Sequence, residues 1–515
     1  MKTIERPTAE GRSRKLFFLA VISVIISAVT YFASRNQIIL PIAGALALAA
    51  TYFLFKRPEL ATLVFAFILY GNLAVIAVQF HHVPSIAAAG VSGLLVLPLA
   101  NYLIKRRERL LVNLDFGFII IYLLALVASA LFAYDVKLAL NEIGNFFVEG
   151  LLLYFLLFNV VRELATLKRV IWTLLLVGSI LGGLSLFQEV TRTYDNSYGG
   201  LAQKNEDLDM SEVNFEEYGG SRRAGGPFGK ENRYAQIMVV IFPLALCMFY
   251  IAPAKKLKFL ALAAAGLILG GIVLTFSRGA FVTLAGMMLI TVFLRYIRPM
   301  QAIAGVALLV AVVLIALPEY VERVSSVGNL SSLASGNDEG AREADGSLRG
   351  RFAENLAAIR VFFEHPVLGV GPGHYAKFYS AKYGNEVGTK RLISNRRAHS
   401  LYLEMLADNG LVGLLTFMTV AFVACRQLWQ LRRRLSSTHP ELAHIATAIL
   451  LGIFGYFGTA MFLHLSYQRY YWFLMALAGA AIRIFNLEIA ASQLQEEHVV
   501  KHEQAEEKEL LPAQV

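Results

Sequence analysis

Charge is scarce in this chain: 16% of its 515 residues are charged, against about 25% in an average soluble protein. Cysteine is scarcer still. The two thiols, Cys247 and Cys425, fall in or beside apolar runs, and no CxxC, zinc-ligand spacing or disulfide framework exists. They read as small apolar packing residues. No Walker loop, GxGxxG or HExxH occurs, so ATP-driven transport and zinc proteolysis have no motif to rest on. What is abundant is apolar surface: 57% of residues are hydrophobic, and the mean hydropathy is +0.57. That balance excludes a disordered chain, a coiled coil and an ordinary cytosolic enzyme. It argues against a nucleic-acid binder too, despite a net charge of +10.

A helix crosses a bilayer with about 20 apolar residues. Runs of that kind begin near Leu16, Ile38, Leu60, Pro84, Leu114, Leu138, Val170, Asn232, Leu257, Ala280, Gln301, His399, Ile445 and Tyr471. The expected fold is all-α, a polytopic transmembrane helix bundle of about twelve to fourteen spans. The first run lacks a small-residue cleavage site and is followed at once by another, so it reads as a retained helix. No internal repeat of the kind common in secondary transporters is visible.

Basic residues set the sidedness. One set of connections carries Arg12, Arg14 and Lys15, then Lys56 and Arg57, Lys105 to Arg109, Arg162 to Arg169, Lys255 to Lys258, Arg295 and Arg298, and Arg432 to Arg434. The alternate short connections carry about one basic residue each, in the positive-inside sense. Both termini are then cytoplasmic, and most of the excess charge is topology. The chain divides into N-terminal spans with a first outer loop (1–231, loop 191–231), a central region (232–425) containing a large outer loop (318–398), C-terminal spans (426–489) and a polar cytoplasmic tail (490–515). In the large loop, Ser331 to Ser347 reads as a mobile stretch. In Arg351 to His365, Phe352, Leu356, Ile359 and Phe363 recur at helical spacing, which predicts an amphipathic helix on the outer rim. Pro366 and the Gly369-Val370-Gly371-Pro372-Gly373 stretch then form a turn.

The outer rim collects the polar residues that could carry chemistry. Arg278, in Thr275-Phe276-Ser277-Arg278-Gly279-Ala280, is a cation at a span end with no acid nearby in sequence. It meets an anion such as a diphosphate, or snorkels to headgroups. Arg349 and Arg351 open the rim helix, where the positive dipole end adds to an anion seat; the alternative is that both face water. His399, in Arg396-Arg397-Ala398-His399-Ser400-Leu401-Tyr402-Leu403-Glu404, stands at the outer end of a span, where a histidine serves as general base or merely bonds a loop. Arg396 and Arg397 help keep it neutral. Glu404 lies about 140° from it on a helical wheel and does not orient the ring from the same helix. His374 follows the glycine turn and caps it. Arg233 begins a span on the outside, as a secondary phosphate or glycan contact or a headgroup contact; Arg222 and Arg223 sit deeper in their loop. Glu149 lies mid-span, read as a helix-pairing hydrogen bond rather than a proton path. His81 and His82 lack acidic or cysteine neighbours, so no metal site is expected. Asn329-Leu330-Ser331 matches a short, common glycosylation acceptor pattern.

Ser277-Arg278-Gly279, Arg351-Phe352-Ala353-Glu354-Asn355, His365-Pro366-Val367-Leu368-Gly369-Val370-Gly371-Pro372-Gly373, Ala398-His399-Ser400-Leu401-Tyr402-Leu403-Glu404 and Asp408-Asn409-Gly410-Leu411-Val412-Gly413 follow in that order. This order resembles the O-antigen ligase and polymerase family of bacterial inner-membrane glycosyltransferases, over roughly Asn232 to Val420. The resemblance implies transfer of a glycan from a polyprenyl diphosphate carrier to an acceptor hydroxyl on the periplasmic face, without a nucleotide sugar, metal or cofactor. It implies that Arg278 and Arg351 hold the diphosphate and that His399 takes the acceptor's proton. It assigns nothing to Arg233. Two departures bear on the acceptor side: Asn355 stands where the family often has tryptophan, and His374 where it commonly has asparagine.

The acceptor divides the options. Lipid A–core sugar makes a ligase, which the motifs around His399 favour. A carrier-linked repeat makes a polymerase, and a protein hydroxyl an oligosaccharyltransferase. A lipid-linked sugar flippase is the competing class; it requires polar residues at the bilayer midplane, where only Glu149 qualifies clearly. A structural scaffold leaves Arg278, Arg351 and His399 unexplained.

Overall fold

Where no water reaches the backbone, its amides must bond within the chain, and runs near 20 apolar residues do so as helices. The computed structural model describes residues 49, 51–85, 90–203, 223–316, 346–386, 396–465 and 468–510, without the side chains of 308–316, 346–349, 385–386 and 496–510. Among these residues there are helices and no strand. Every apolar run from the one near Leu60 onward falls on a helix. The runs near Leu16 and Ile38, Arg222, the Asn329 acceptor pattern and residues 331–345 of the Ser331–Ser347 stretch lie outside the described residues.

The helices are α1 (Pro58–Tyr70), α2 (Leu73–Gln79), α3 (Val91–Lys105), α4 (Leu114–Ala130), α5 (Val136–Val160), α6 (Leu164–Thr191), α7 (Glu231–Ile251), α8 (Lys255–Leu274), α9 (Arg278–Phe293), α10 (Pro299–Ala316), α11 (Gly346–Glu364), α12 (Leu401–Leu435), α13 (Pro440–Ala460) and α14 (Arg469–Leu510). A short helix at 375–386 lies between α11 and α12. Seven are long and apolar enough to cross a membrane, or eight if α1 and α2, bent by 57°, form one span. Among the described residues, which leave out the runs near Leu16 and Ile38, that is fewer than the runs in the sequence suggest. Asn72 breaks α1 from α2 at φ 54°, and α3, α4 and α9 are apolar but short. The tail continues α14 as helix to Leu510.

Lipid tails are as apolar as leucine, so close packing rather than the hydrophobic effect holds such helices together. The α6–α8 crossing shows how close: a Cβ on Gly182 would lie 2.1 Å from the Leu267 carbonyl oxygen. α14 is the central pillar. Its Tyr471 and Trp472 are fully buried. Ring centroids stand 4.7 Å apart for Phe417–Tyr471 and 5.3 Å for Phe146–Trp472. Cys247 is buried in the same core, and half-buried Cys425 packs against it.

The bundle has two chemically different ends. At one, the basic connections meet acids: Arg162–Glu108, Arg106–Glu163, Lys168–Glu441 and Arg169–Glu59. At the other lie the α1–α2 break, the α4–α5 turn, the stretch before α7, the α8–α9 and α13–α14 turns, and the loop with α11. The mid-span Glu149 leans to this end and pairs with Arg469 at 3.2 Å, while Arg469 also bonds Asn72 Oδ1 at 3.0 Å. It joins α5 to α14, as a helix-pairing bond does.

α11 departs from the amphipathic expectation. Its buried face is Ala353, Glu354, Ala357, Ala358 and Val361, and it packs on α12. Phe352, Leu356 and Ile359 are only half-buried, and Phe363 is exposed. Small residues let the helix seat against α12, leaving the large apolar side chains outward. The helix also starts at Gly346, so Arg351 sits inside it and not at its dipole end.

The chain after α11 is sewn to α12. Val370 N–H bonds Ala407 O, Gly371 N–H bonds Asp408 O, Leu411 N–H bonds Pro366 O and Val412 N–H bonds Val367 O, at 2.8–3.1 Å. This seam needs a break in α12 at Gly410, with φ 63° and ψ −166°, a region essentially closed to other residues. A Cβ there would lie 2.3 Å from the Val367 carbonyl oxygen. Gly410→Ala should therefore cost about 1–3 kcal/mol or more, read as a lowered thermal midpoint in detergent. An unchanged midpoint would mean the seam is not needed.

Candidate functional site

Ser400 precedes α12 in extended conformation, which sets His399 just outside the helix, facing α11. Its Nδ1 lies 2.5 Å from Glu354 Oε2. A carboxylate can only accept, so Nδ1 carries the proton and Nε2 keeps a free lone pair. The other Glu354 oxygen accepts from Arg396 at 3.2 Å. The Glu354 side chain is fully buried, and such a carboxylate is tolerable only when paired in this way. Tyr375 closes the floor: its hydroxyl donates to the Glu354 carbonyl oxygen, and its backbone N–H donates to Asp408 Oδ1 at 2.7 Å.

Beside this pair, Arg397 grips Glu404 through Nε at 2.7 Å and through a second guanidinium nitrogen. Glu404 thus serves Arg397 and does not orient His399, as the helical wheel requires. A cavity of about 50 Å³ adjoins it, lined also by Glu142, Asp408, Asn409 and Gln468.

A second imidazole, His464 in the α13–α14 turn, stands edge-on to His399 with ring centroids 6.3 Å apart. Arg233 is buried; it donates to the His464 carbonyl at 2.8 Å and to Gln236 Oε1 at 2.6 Å. Desolvation first, then the charges of Arg397, Arg233, His399 and Lys230, hold His464 neutral, well below the usual histidine value. Below about pH 6.5 the unfolded chain binds a proton here that the folded chain refuses, so stability is lost as pH falls through that value. The drop in thermal midpoint from pH 7.5 to 5.5 should be smaller in His464→Gln than in the unaltered protein. An equal drop in both would remove His464 as its source.

The arginines singled out in the sequence fall as follows. Arg351 is half-buried on α11, one turn before Glu354. Arg278 is the first residue of α9 and half-buried. The start of α9 abuts the turn that carries His464: a Cβ on Gly279 would lie 2.6 Å from the Phe462 ring. Arg349 lies on α11 with its side chain outside the described atoms. Arg223 bonds the Thr275 carbonyl at 3.0 Å and approaches Glu231 at 3.7 Å. His374 is a tie within the fold. Its Nε2 accepts the Asp135 N–H at 3.0 Å, so Nδ1 carries the proton and faces the Pro372 carbonyl at 3.0 Å. His81 reaches the Gly199 carbonyl at 3.1 Å.

Sequence reasoning missed two members, Glu354 and His464. Glu354 had one legible signal: it lies three residues after Arg351, on the same helical face. His464 had none beyond its type.

No curated protein matches the chain. Residues 263–418 match the family model described as O-Antigen ligase. That stretch holds Arg278, Arg351, Glu354, Arg396, Arg397, His399 and Glu404, whereas Arg233 and His464 reach the site from outside it. Over this region, which is less than half of the chain, it is similar to the O-antigen ligase family.

Proposed function

We propose that this membrane protein is a glycosyltransferase that moves a glycan from a polyprenyl diphosphate carrier to an acceptor hydroxyl. The family match supports lipid-linked glycan transfer in general. The observation that carries the finer reading is the buried Glu354 on His399 Nδ1, one helical turn from Arg351.

His399 Nε2 takes the proton of the acceptor hydroxyl as its oxygen attacks the anomeric carbon. The bond from that carbon to the diphosphate oxygen breaks, and the electron pair leaves with the diphosphate. Arg278 and Arg351 meet the growing charge, the part a metal ion would otherwise play. Glu354 stabilises the imidazolium that forms. Attack opposite the leaving group inverts the anomeric carbon. The diphosphate is already a good leaving group and requires no acid.

The basic connections gathered at the far end support a site on the periplasmic side of the bacterial inner membrane, with both termini cytoplasmic. The partners are then the carrier-linked donor, membrane lipids and an acceptor. Among acceptors the reading favours lipid A–core sugar over another carrier-linked repeat or a protein hydroxyl, from the motifs around His399. Purified protein given polyprenyl-diphosphate glycan and each acceptor in turn tests it. Release of carrier diphosphate with an acceptor is expected; none with any of them would defeat the reading.

A further inference from the structure

A cavity lined partly by polar side chains lies at the other end of the bundle. It has a volume of about 330 Å³ and is lined by Asn113, Phe158, Gln427, Arg483, Asn486 and Leu487 among others. About 300–1,000 Å³ is the usual range for a small-ligand pocket. Arg483 lies at the basic end of α14: it donates to the Val161 carbonyl at 2.6 Å, next to the Arg162–Glu108 pair.

Arg483 is in an unusual position. Its guanidinium lies over the Phe158 ring at 5.5 Å, and it has no ion-pair partner among the described residues. Its Nε is buried and makes no hydrogen bond. The acid that acts on it, Glu108, is already paired with Arg162, and buried Asp115 is engaged as well. Its oxygens take Asn113 Nδ2 at 3.1 Å and Gln427 Nε2 at 3.3 Å. A cation kept at a span end without a counter-charge is costly, and a guanidinium's paired donors fit phosphate oxygens. Amides from Asn486 and Gln427 add neutral donors around the same space. The rim differs from the floor: Val112 and Leu487 are 69% and 57% exposed. A polar floor holding a cation that must share Glu108 with Arg162, under an apolar, exposed rim, matches an amphipathic ligand.

We propose that this cavity binds a phospholipid, with its phosphate on Arg483 and its acyl chains along Val112 and Leu487. It is separate from the proposed transfer site and does not depend on that reading.

The test uses the full chain in neutral detergent, with thermal midpoint and native mass spectrometry as readouts, so neither result depends on catalysis. Added phosphatidylglycerol should raise the midpoint of the unaltered protein, and one phospholipid should stay bound in the gas phase. In Arg483→Gln the rise should fall to half or less and the bound lipid should be lost. Should that variant fail to fold, Asn486→Asp, at an exposed rim position, places a negative charge against the phosphate and should weaken the rise likewise. Equal rises in the unaltered protein and both variants would overturn the proposal. So would an equal rise from inorganic phosphate alone, which would mark a free-anion site.

Discussion

Glu354→Gln should lower turnover by about 10²–10⁴-fold, nearly as far as His399→Ala, with donor binding retained. The reason is tautomeric. The carboxylate accepts from Nδ1 and so leaves Nε2 as the base; a glutamine amide can donate instead and turn the ring's proton to the wrong nitrogen. It also withdraws the negative charge that stabilises the imidazolium after proton transfer. Two residues acting as a unit are not additive. The double variant should therefore be no slower than His399→Ala alone. Losses that multiply would separate the two residues and make Glu354 a packing element. Because Glu354 also holds Arg396, the thermal midpoint should be measured beside the rate. A variant that keeps its midpoint and loses kcat reports on chemistry.

Arg278→Ala and Arg351→Ala should each lower kcat by about 10²–10³-fold, the cost of removing one preorganised donor from a developing anion. In the proposed mechanism the charge grows on the leaving diphosphate, so the loss should appear in kcat as well as in KM. Lysine should rescue poorly, since a point charge does not reproduce a paired donor. Steady-state rates with diphosphate- and monophosphate-linked donors check the assignment: the gap between these donors should shrink in either variant. A change in KM alone would make the arginines ground-state anchors.

Much of the fold is legible because membrane helices advertise themselves through length and apolarity, and α5 to α8 and α12 to α14 lie where the runs predict. The count is less legible. Breaks such as Asn72 depend on backbone conformation, and α9 is short because the polar Ser277-Arg278 start falls inside an apolar stretch. The face of α11 is misread by hydrophobic spacing alone: alanines and a glutamate make the close contact, and phenylalanines turn outward. His399 is legible from its position at a span end. Its partner is not, because Glu354 lies 45 residues away in sequence and a lone acid on a polar helix is ordinarily solvated. Glu404 could at least be set aside by helix geometry, and its pairing with Arg397 agrees. His464 joins the site only through the folding together of α7, α12 and the α13–α14 turn, which no local pattern records.

The seam between 366–371 and the Gly410 break locks the start of α12, next to His399, and the arm carrying Arg351 and Glu354 into a single jaw. Its inner geometry is then set before any saccharide arrives. On the proposed reading, admission of a bulky chain falls to the turn with Phe462, so substitutions of Phe462 should tune which glycans pass more than the rate of the transfer step.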